Sequence, residues 1–251
     1  MNDKIQKFKE LVNESNNIVF FGGAGVSTES GIPDFRSKDG LYNQQYKYPP
    51  ETILSHTFFM NKTDEFYKFY KAKMNCLKYK PNITHIKLAE LENKGKLKAV
   101  ITQNIDGLHQ EAGSKIVYEL HGSVLRNYCM NCNKFFDAEY VFNSESVPKC
   151  SCGAIVKPDV VLYEEGLNDN TFDGAISAIA NADMLIVAGT SLTVQPASSL
   201  INYFNGKNLV LINRDTTPYN YKADLVINDG LGTVFKEIWF LKHYLNHQDL
   251  V

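Results

Sequence analysis

The chain has 251 residues and 44% of them are hydrophobic, enough to bury a full core, and its length suits one large α/β domain with a smaller appendage, which excludes a disordered or collagen-like chain. A formal net charge of −2 offers no concentrated cationic surface for phosphate, so direct nucleic-acid binding is not expected. No apolar run approaches the roughly 20 residues that a membrane-spanning helix requires.

Residues 1–17 place Ile5, Phe8, Leu11 and Val12 at amphipathic helix spacing among Lys, Glu, Asp and Asn, unlike a signal h-region, so a cytoplasmic location is expected. A β-branched and aromatic run at 18–21 ends abruptly in Gly22-Gly23-Ala24-Gly25, the pattern of a buried parallel strand entering a phosphate-accepting turn. A helix is predicted over 83–93 and a strand over 97–102, followed by the loop 103–109. Further on, a helix over 173–180 leads to a strand over 184–188 that ends at Gly189-Thr190-Ser191. A helix over 196–204 then precedes a strand over 209–212 that ends at Asn213-Arg214-Asp215, and residues 224–227 form a fifth candidate strand before a last helix over 233–245.

This alternation predicts a Rossmann-like, doubly wound parallel sheet, with the polar and glycine-rich loops at the strand C-terminal ends converging on one crevice. Two stretches interrupt it. Residues 39–80 are rich in Tyr, Phe and Lys and read as helical, while 124–157 have few helix signals and carry most of the cysteines. Both are read as insertions that build a small second domain, leaving 1–38, 81–123 and 158–251 to the sheet domain.

Four of the five cysteines fall into the pairs Cys129/Cys132 and Cys150/Cys152, separated by seventeen residues, and Cys76 stands apart. Close pairs in a reducing compartment are thiolate ligands more often than disulfides, and two ligand-bearing turns joined by a short ribbon suit tetrahedral zinc. A closed four-thiolate site leaves no open position for water. One structural Zn²⁺ per chain is therefore expected, and Cys76 is read as an inert buried thiol.

Gly23-x-Gly25 resembles the start of a dinucleotide fingerprint, but Thr28 occupies the third glycine position, which weakens a dehydrogenase reading. By itself the motif fits a turn feeding a helix equally well. Its continuation, Ser27-Thr28-Glu29-Ser30-Gly31-Ile32-Pro33-Asp34-Phe35-Arg36, resembles the sirtuin family of NAD-dependent protein lysine deacylases. The resemblance extends through 102–109 (TQNIDGLH), Leu120-His121-Gly122, the cysteine pairs, 157–161 (KPDVV), Gly189-Thr190-Ser191-Leu192 and Asn213-Arg214-Asp215, in family order over nearly the whole chain.

The resemblance implies NAD as a consumed co-substrate and acyl-lysine proteins or peptides as partners; a monomer is expected. Ala24, Gly25 and Thr28 would contact the pyrophosphate, with support from a helix N-terminus. Phe35 and Arg36 would line the nicotinamide and ribose end, and Gln103, Asn104, Ile105 and Asp106 the carboxamide pocket, Asp106 accepting from its NH2 group. Thr190, Ser191, Asn213 and Leu231 would hold the adenosine half. His121 would be the catalytic base, acting on the ribose after the acyl oxygen has displaced nicotinamide, so that lysine and O-acyl-ADP-ribose are released. His109 would support its loop, while His56, His85, His243 and His247 have no motif context and are read as surface or packing residues.

Three departures from the family pattern stand out. Gly22 replaces a common Thr, and Tyr163-Glu164-Glu165 replaces Phe-Gly-Glu in the segment that pairs with substrate backbone. Tyr67-Lys68-Phe69-Tyr70 matches the Tyr-x-x-Arg pair of the acidic-acyl branch without its arginine, so acetyl and other neutral acyl groups are expected. An ADP-ribosyltransferase would use the same pocket but has no need of His121. A zinc-ribbon nucleic-acid binder would need more basic residues than Lys134, Lys149 and Lys157.

Overall fold

The computed structural model describes residues 3–34, 40 and 46–238. Helix α1 (Asp3–Glu14) buries Ile5, Phe8, Leu11 and Val12, the spacing that predicted it. Strand β1 (Ile18–Gly22) follows, and α2 (Pro50–Ile53), α3 (His56–Asn61) and α4 (Thr63–Lys73) occupy the described part of the helical insert. Helix α5 (Ile83–Asn93) and β2 (Leu97–Thr102) fall on the predicted residues. After α6 (Leu108–Glu111) come β3 (Val117–Glu119), β4 (Gly122–Cys129), β5 (Phe135–Phe136), α7 (Ala138–Asn143) and β6 (Val156–Val160). The remainder is α8 (Asp169–Ala180), β7 (Met184–Ala188), a 3-10 segment at Ala197–Tyr203, β8 (Asn208–Ile212), β9 (Leu225–Ile227) and α9 (Leu231–Lys236).

Six strands form one parallel sheet in the order β3-β2-β1-β7-β8-β9. From β1 the chain steps outward to β2 and β3, and after β7 it steps the other way to β8 and β9. The order therefore reverses between β1 and β7, and an open α/β sheet binds ligands outside the carboxyl ends at such a reversal. The two-residue side-chain period of a strand sorts the core. Ile18, Phe20, Met184, Ile186 and Val210 pack on α1, α5 and α9, while Val19, Phe21, Leu185, Val187 and Leu211 face α8 and the 3-10 segment.

A separate antiparallel sheet, β5-β4-β6, packs with α2, α3 and α4 around a third cluster in which Phe58, Phe59, Phe66, Tyr67 and Tyr70 meet Val124, Val141 and Val156. Aromatic rings pack edge to face through this cluster, as between Phe59 and Phe66 at 5.0 Å.

Several sequence expectations need adjustment. Helix α8 starts four residues before the predicted 173, because Asn168 caps it by accepting from Thr171 N. The segment expected as an α-helix at 196–204 is 3-10 throughout Ala197–Tyr203. Of the helix expected over 233–245, Leu231–Lys236 is seen, and residues beyond 238 lie outside the described range. The cysteine-bearing insert contains a helix, α7, capped by Asp137 accepting from Tyr140 N. Among the described residues no helix is long and apolar enough to cross a membrane.

Candidate functional site

The turn after β1 runs across the end of β7. Gly23 N donates to Ala188 O and Gly25 N to Gly189 O, at 3.2 and 2.8 Å. Approach this close requires glycine on both sides: a Cβ on Gly25 would lie 2.7 Å from Gly189 Cα, and a Cβ on Gly189, whose φ is +61°, would lie 2.6 Å from Val26 N. At Gly22 a Cβ would meet side chains only, the Phe20 ring at 2.6 Å and Val26 Cγ2 at 3.0 Å.

The helix whose N-terminus was expected to support this turn is not formed. Ala24–Val26 and Thr28–Ser30 are single 3-10 turns, too short to sum a macrodipole, so no helix N-terminus backs the turn. The Gly25 amide is already bonded to Gly189 O, and the Thr28 hydroxyl donates back to Gly25 O at 3.0 Å. Asn82, outside the motifs, and Glu29, within one, hold the turn in place. Asn82, the N-cap of α5, donates from Nδ2 to Val26 O and Ser30 Oγ, and Glu29 accepts from Gly232 N at the start of α9.

The loop after β2 closes over the turn through one hydroxyl. Ser27 Oγ donates to Asp106 Oδ2 at 2.6 Å and accepts from Asn104 Nδ2 at 3.0 Å. Asp106 Oδ1 also accepts from Leu108 N. Burial pushes the Asp106 carboxyl above its ordinary range, and the donors Ser27 and Leu108 pull it back. Gln103 Nε2 donates to Thr190 Oγ1 at 3.2 Å, linking the loops that follow β2 and β7. Ile105 O accepts from Val124 N, tying the loop to β4.

His121 lies between β3 and β4. Its Nδ1 is 2.9 Å from Gln103 O, and since a carbonyl can only accept, Nδ1 carries the proton and Nε2 keeps its lone pair. Burial lowers the imidazole pKa and the Gln103 carbonyl partly offsets this, so the neutral form prevails at pH 7. The next residue must be glycine: Gly122 has φ +74°, and a Cβ there would sit 1.9 Å from Asp159 O. His121 O in turn accepts from Val161 N.

That bond leads into segment 161–166, which is held against the helical insert. Tyr163 N donates to Leu54 O and His56 N donates to Tyr163 O. Glu165 accepts from Leu162 N and meets His56 Nδ1 at 2.9 Å and Lys157 Nζ at 3.1 Å, which gives His56 a defined partner. Glu164, in one of the departures noted above, has a left-handed backbone with φ +77°. Its carboxylate accepts from Thr57 N at 2.9 Å, an interaction that glycine could not make and that offsets part of the strain.

These parts enclose one cavity of about 1050 Å³. Every expected cofactor residue in the described range lines it, from Ala24, Gly25 and Thr28 through the 103–106 loop to Thr190, Ser191, Asn213 and Leu231, and His121 opens into the same space. Phe35 and Arg36 lie outside the described residues, as do His243 and His247. Cys76 lines the wall near Asp106, and burial first, then the Asp106 charge, pushes its thiol up to about 12, which makes it inert at neutral pH. His109 and His85 sit beneath the loop, fully buried and 4.7 Å apart, edge to face. His85 Nδ1 accepts from Asn82 N, so this residue belongs to the core and the helix cap.

Away from the cavity, the sulfurs of Cys129, Cys132, Cys150 and Cys152 all lie within 4.8 Å of one another. The closest contacts, 3.4 Å between Cys129 and Cys152 and 3.6 Å between Cys132 and Cys150, approach the edge of about 3.8 Å that a tetrahedron with metal–sulfur bonds of about 2.3 Å requires. The amides of Asn131 and Cys132 point at Cys129 Sγ, a second shell suited to a thiolate. Donor set and spacing fit structural zinc.

The Sir2 family model matches residues 23–196. The chain belongs to the Sir2 family. NAD-dependent protein deacetylases of Clostridium perfringens and Clostridium acetobutylicum resemble this Sir2 protein at 62% and 60% identity, over 95% and 94% of it and 99% and 98% of their own lengths. A solved Sir2 structure with a deacetylated p53 peptide and 3′-O-acetyl-ADP-ribose has a TM-score of 0.86 at 40% identity, covering 92% of this chain and 96% of that one. A Sir2 structure with a p53 peptide and NAD+ gives 0.82 at 40% identity over 93% and 96%.

Proposed function

We infer that the chain is an NAD-dependent protein lysine deacetylase, which transfers the acyl group of acyl-lysine to ADP-ribose and releases nicotinamide. The observation that carries the reading is His121: a buried, neutral imidazole with its tautomer fixed by Gln103 and its Nε2 facing a cavity that also meets the β1 turn.

In this reading Asp106, held by Ser27 and Leu108, accepts from the carboxamide NH2 group, and Gln103, Asn104 and Ile105 shape the pocket around it. Asp106 has lone pairs to spare beyond its two present donors. Thr190, Ser191, Asn213 and Leu231 take the adenosine half. Ala24, Gly25 and Thr28 border the pyrophosphate, the Thr28 hydroxyl turning from Gly25 O to do so. His121 removes a ribose hydroxyl proton once nicotinamide has left, and segment 161–166 pairs with the peptide. NAD supplies the electrophilic ribose carbon.

The division into a sheet domain of 1–38, 81–123 and 158–251 and a small domain of 39–80 and 124–157 is supported by the separate aromatic cluster around β4 and β6. A cytoplasmic, monomeric enzyme without nucleic-acid partners completes the reading, and five thiols free of disulfides suit a reducing compartment. The direct test is mass spectrometry of an acetyl-lysine peptide with and without NAD. Loss of the acetyl group only with NAD is expected, and NAD-independent loss would overturn the reading.

A further inference from the structure

Strand β4 breaks its register with β6 in one place. Ser123 pairs with Asp159 and Asn127 with Pro158, so Val124, Leu125 and Arg126 stand on β4 opposite a single step of β6. Such a bulge bends its strand and re-aims side chains, and this one is turned toward the loop after β2. Val124 N donates to Ile105 O at 3.0 Å, and Leu125 packs so closely on Gly107 that a Cβ there would lie 2.5 Å from Leu125 Cδ1. Asn127 Nδ2 holds the far end of the bulge through Val124 O at 3.2 Å. Ile105 and Asp106 line the cavity, so the bulge supports from behind the pocket that the carboxamide would occupy.

Arg126 closes the bulge. Its Nε donates to Asp159 Oδ2 and its Nη1 to Glu119 Oε2, both at 2.7 Å. Asp159 belongs to the small sheet, whereas Glu119 ends β3 and pairs with Thr102, directly before the loop. One planar guanidinium thus ties β3, β4 and β6 together around His121, which lies between Glu119 and the start of β4. The Glu119 side chain is only 9% exposed, and without Arg126 its carboxylate would lack a counter-charge in a nearly buried place. That charge is felt at the pocket: burial, and after it Glu119, raise the Asp106 carboxyl. Arg126 itself is not among the residues that line the cavity.

We propose that Arg126 is a positioning residue for NAD: by locking the β4 bulge to Glu119 and Asp159 it holds the Ile105–Asp106 loop in the geometry that receives the carboxamide. The proposal rests on the NAD-dependent reading of the cavity and adds to it a residue outside the sequence motifs.

The test compares equilibrium binding of NAD and of ADP-ribose, which lacks the nicotinamide, to the unmodified protein, Arg126→Met and Arg126→Lys, with thermal unfolding of each. Methionine keeps an apolar stem and loses every donor, whereas lysine keeps the charge but not the planar fork that reaches two carboxylates at once. Arg126→Met should weaken NAD about 3- to 10-fold while ADP-ribose changes less than about twofold, and Arg126→Lys should lie between. A NAD to ADP-ribose ratio equal to that of the unmodified protein, whether both ligands are weakened or neither, would leave Arg126 an ordinary ion pair and overturn the proposal. Should Arg126→Met not fold, the ratio in Arg126→Lys decides by the same criterion. Failure of the unmodified protein to bind either ligand would defeat the NAD reading and the proposal with it. An altered ratio with no turnover of an acetyl-lysine peptide would leave the proposal standing and defeat the deacylase reading alone.

Discussion

Nδ1 of His121 lies 2.9 Å from the carbonyl oxygen of Gln103, the residue that also reaches across to Thr190. One bond thus fixes which ring nitrogen can act as a base and anchors it to the loop that borders the cavity. Because burial holds the imidazole below its ordinary pKa, the basic form survives into mildly acidic solution. The acidic limb of kcat/KM should have its midpoint below about 6.5. His121→Ala should lose roughly 10² to 10⁴ in rate while still binding NAD. Near wild-type turnover by that variant would remove His121 from its role.

Stability should fall as the pH drops, through the two histidines beneath the loop. Burial lowers His85 to about 4 and holds His109 well below its ordinary value. Below about 6.5 the unfolded chain takes up protons that the folded one refuses, so each buried histidine removes roughly 1 kcal/mol between pH 7.5 and 5.5. Denaturant titrations at both pH values, on the starting protein and on His109→Leu, measure this. The variant should show the smaller pH dependence, and equal dependence would place the sensitive groups elsewhere.

Gly122→Ala adds a methyl group 1.9 Å from Asp159 O on a backbone with φ +74°. Relief requires β4 and β6 to separate where His121 enters, so the variant should lose at least about 2 kcal/mol of stability and most of its activity together. Unchanged stability in thermal unfolding would contradict the packing described.

At Glu164 the order of melting temperatures separates backbone from side chain. Glu164→Gly relieves the left-handed strain and loses the Thr57 contact, two effects of opposite sign, while Glu164→Ala keeps the strain and loses the contact. The alanine variant should therefore melt below both the glycine variant and the starting protein. A tie between the two variants would mean that the φ angle carries no strain.

Metal analysis should find about one zinc per chain, and Cys129→Ser or Cys150→Ser should lower melting temperature and activity together. The thiolate cluster is apart from the cavity, so any loss of activity should follow unfolding of the ribbon. A stable, active, zinc-free protein would contradict a structural site.

Much of this molecule can be read from residues alone, because the central strands are continuous apolar runs and their glycine-rich ends mark the crevice. Strand β3 escaped because three half-buried residues, Val117, Tyr118 and Glu119, carry no periodic signal. Asn82 carried a readable one, a cap residue directly before a helical run, yet its reach to Val26 depends on tertiary geometry. Glu164 could not be read from sequence, since a long charged side chain gives no hint of positive φ. Tyr67 and Tyr70 were placed in the acyl region by analogy, and only packing reveals that one hydroxyl is bonded and the other is not.

The contact between Gly25 and Gly189 has a consequence for how the protein tolerates change. Each occupies the volume that a side chain on the other would need, so neither position can compensate for enlargement of its counterpart. In a library that randomises both codons, functional clones should retain glycine at both sites together. The strands joined there, β1 and β7, are therefore fixed to each other, and any opening that admits two substrates and releases three products must be supplied by the loops and the smaller sheet around them.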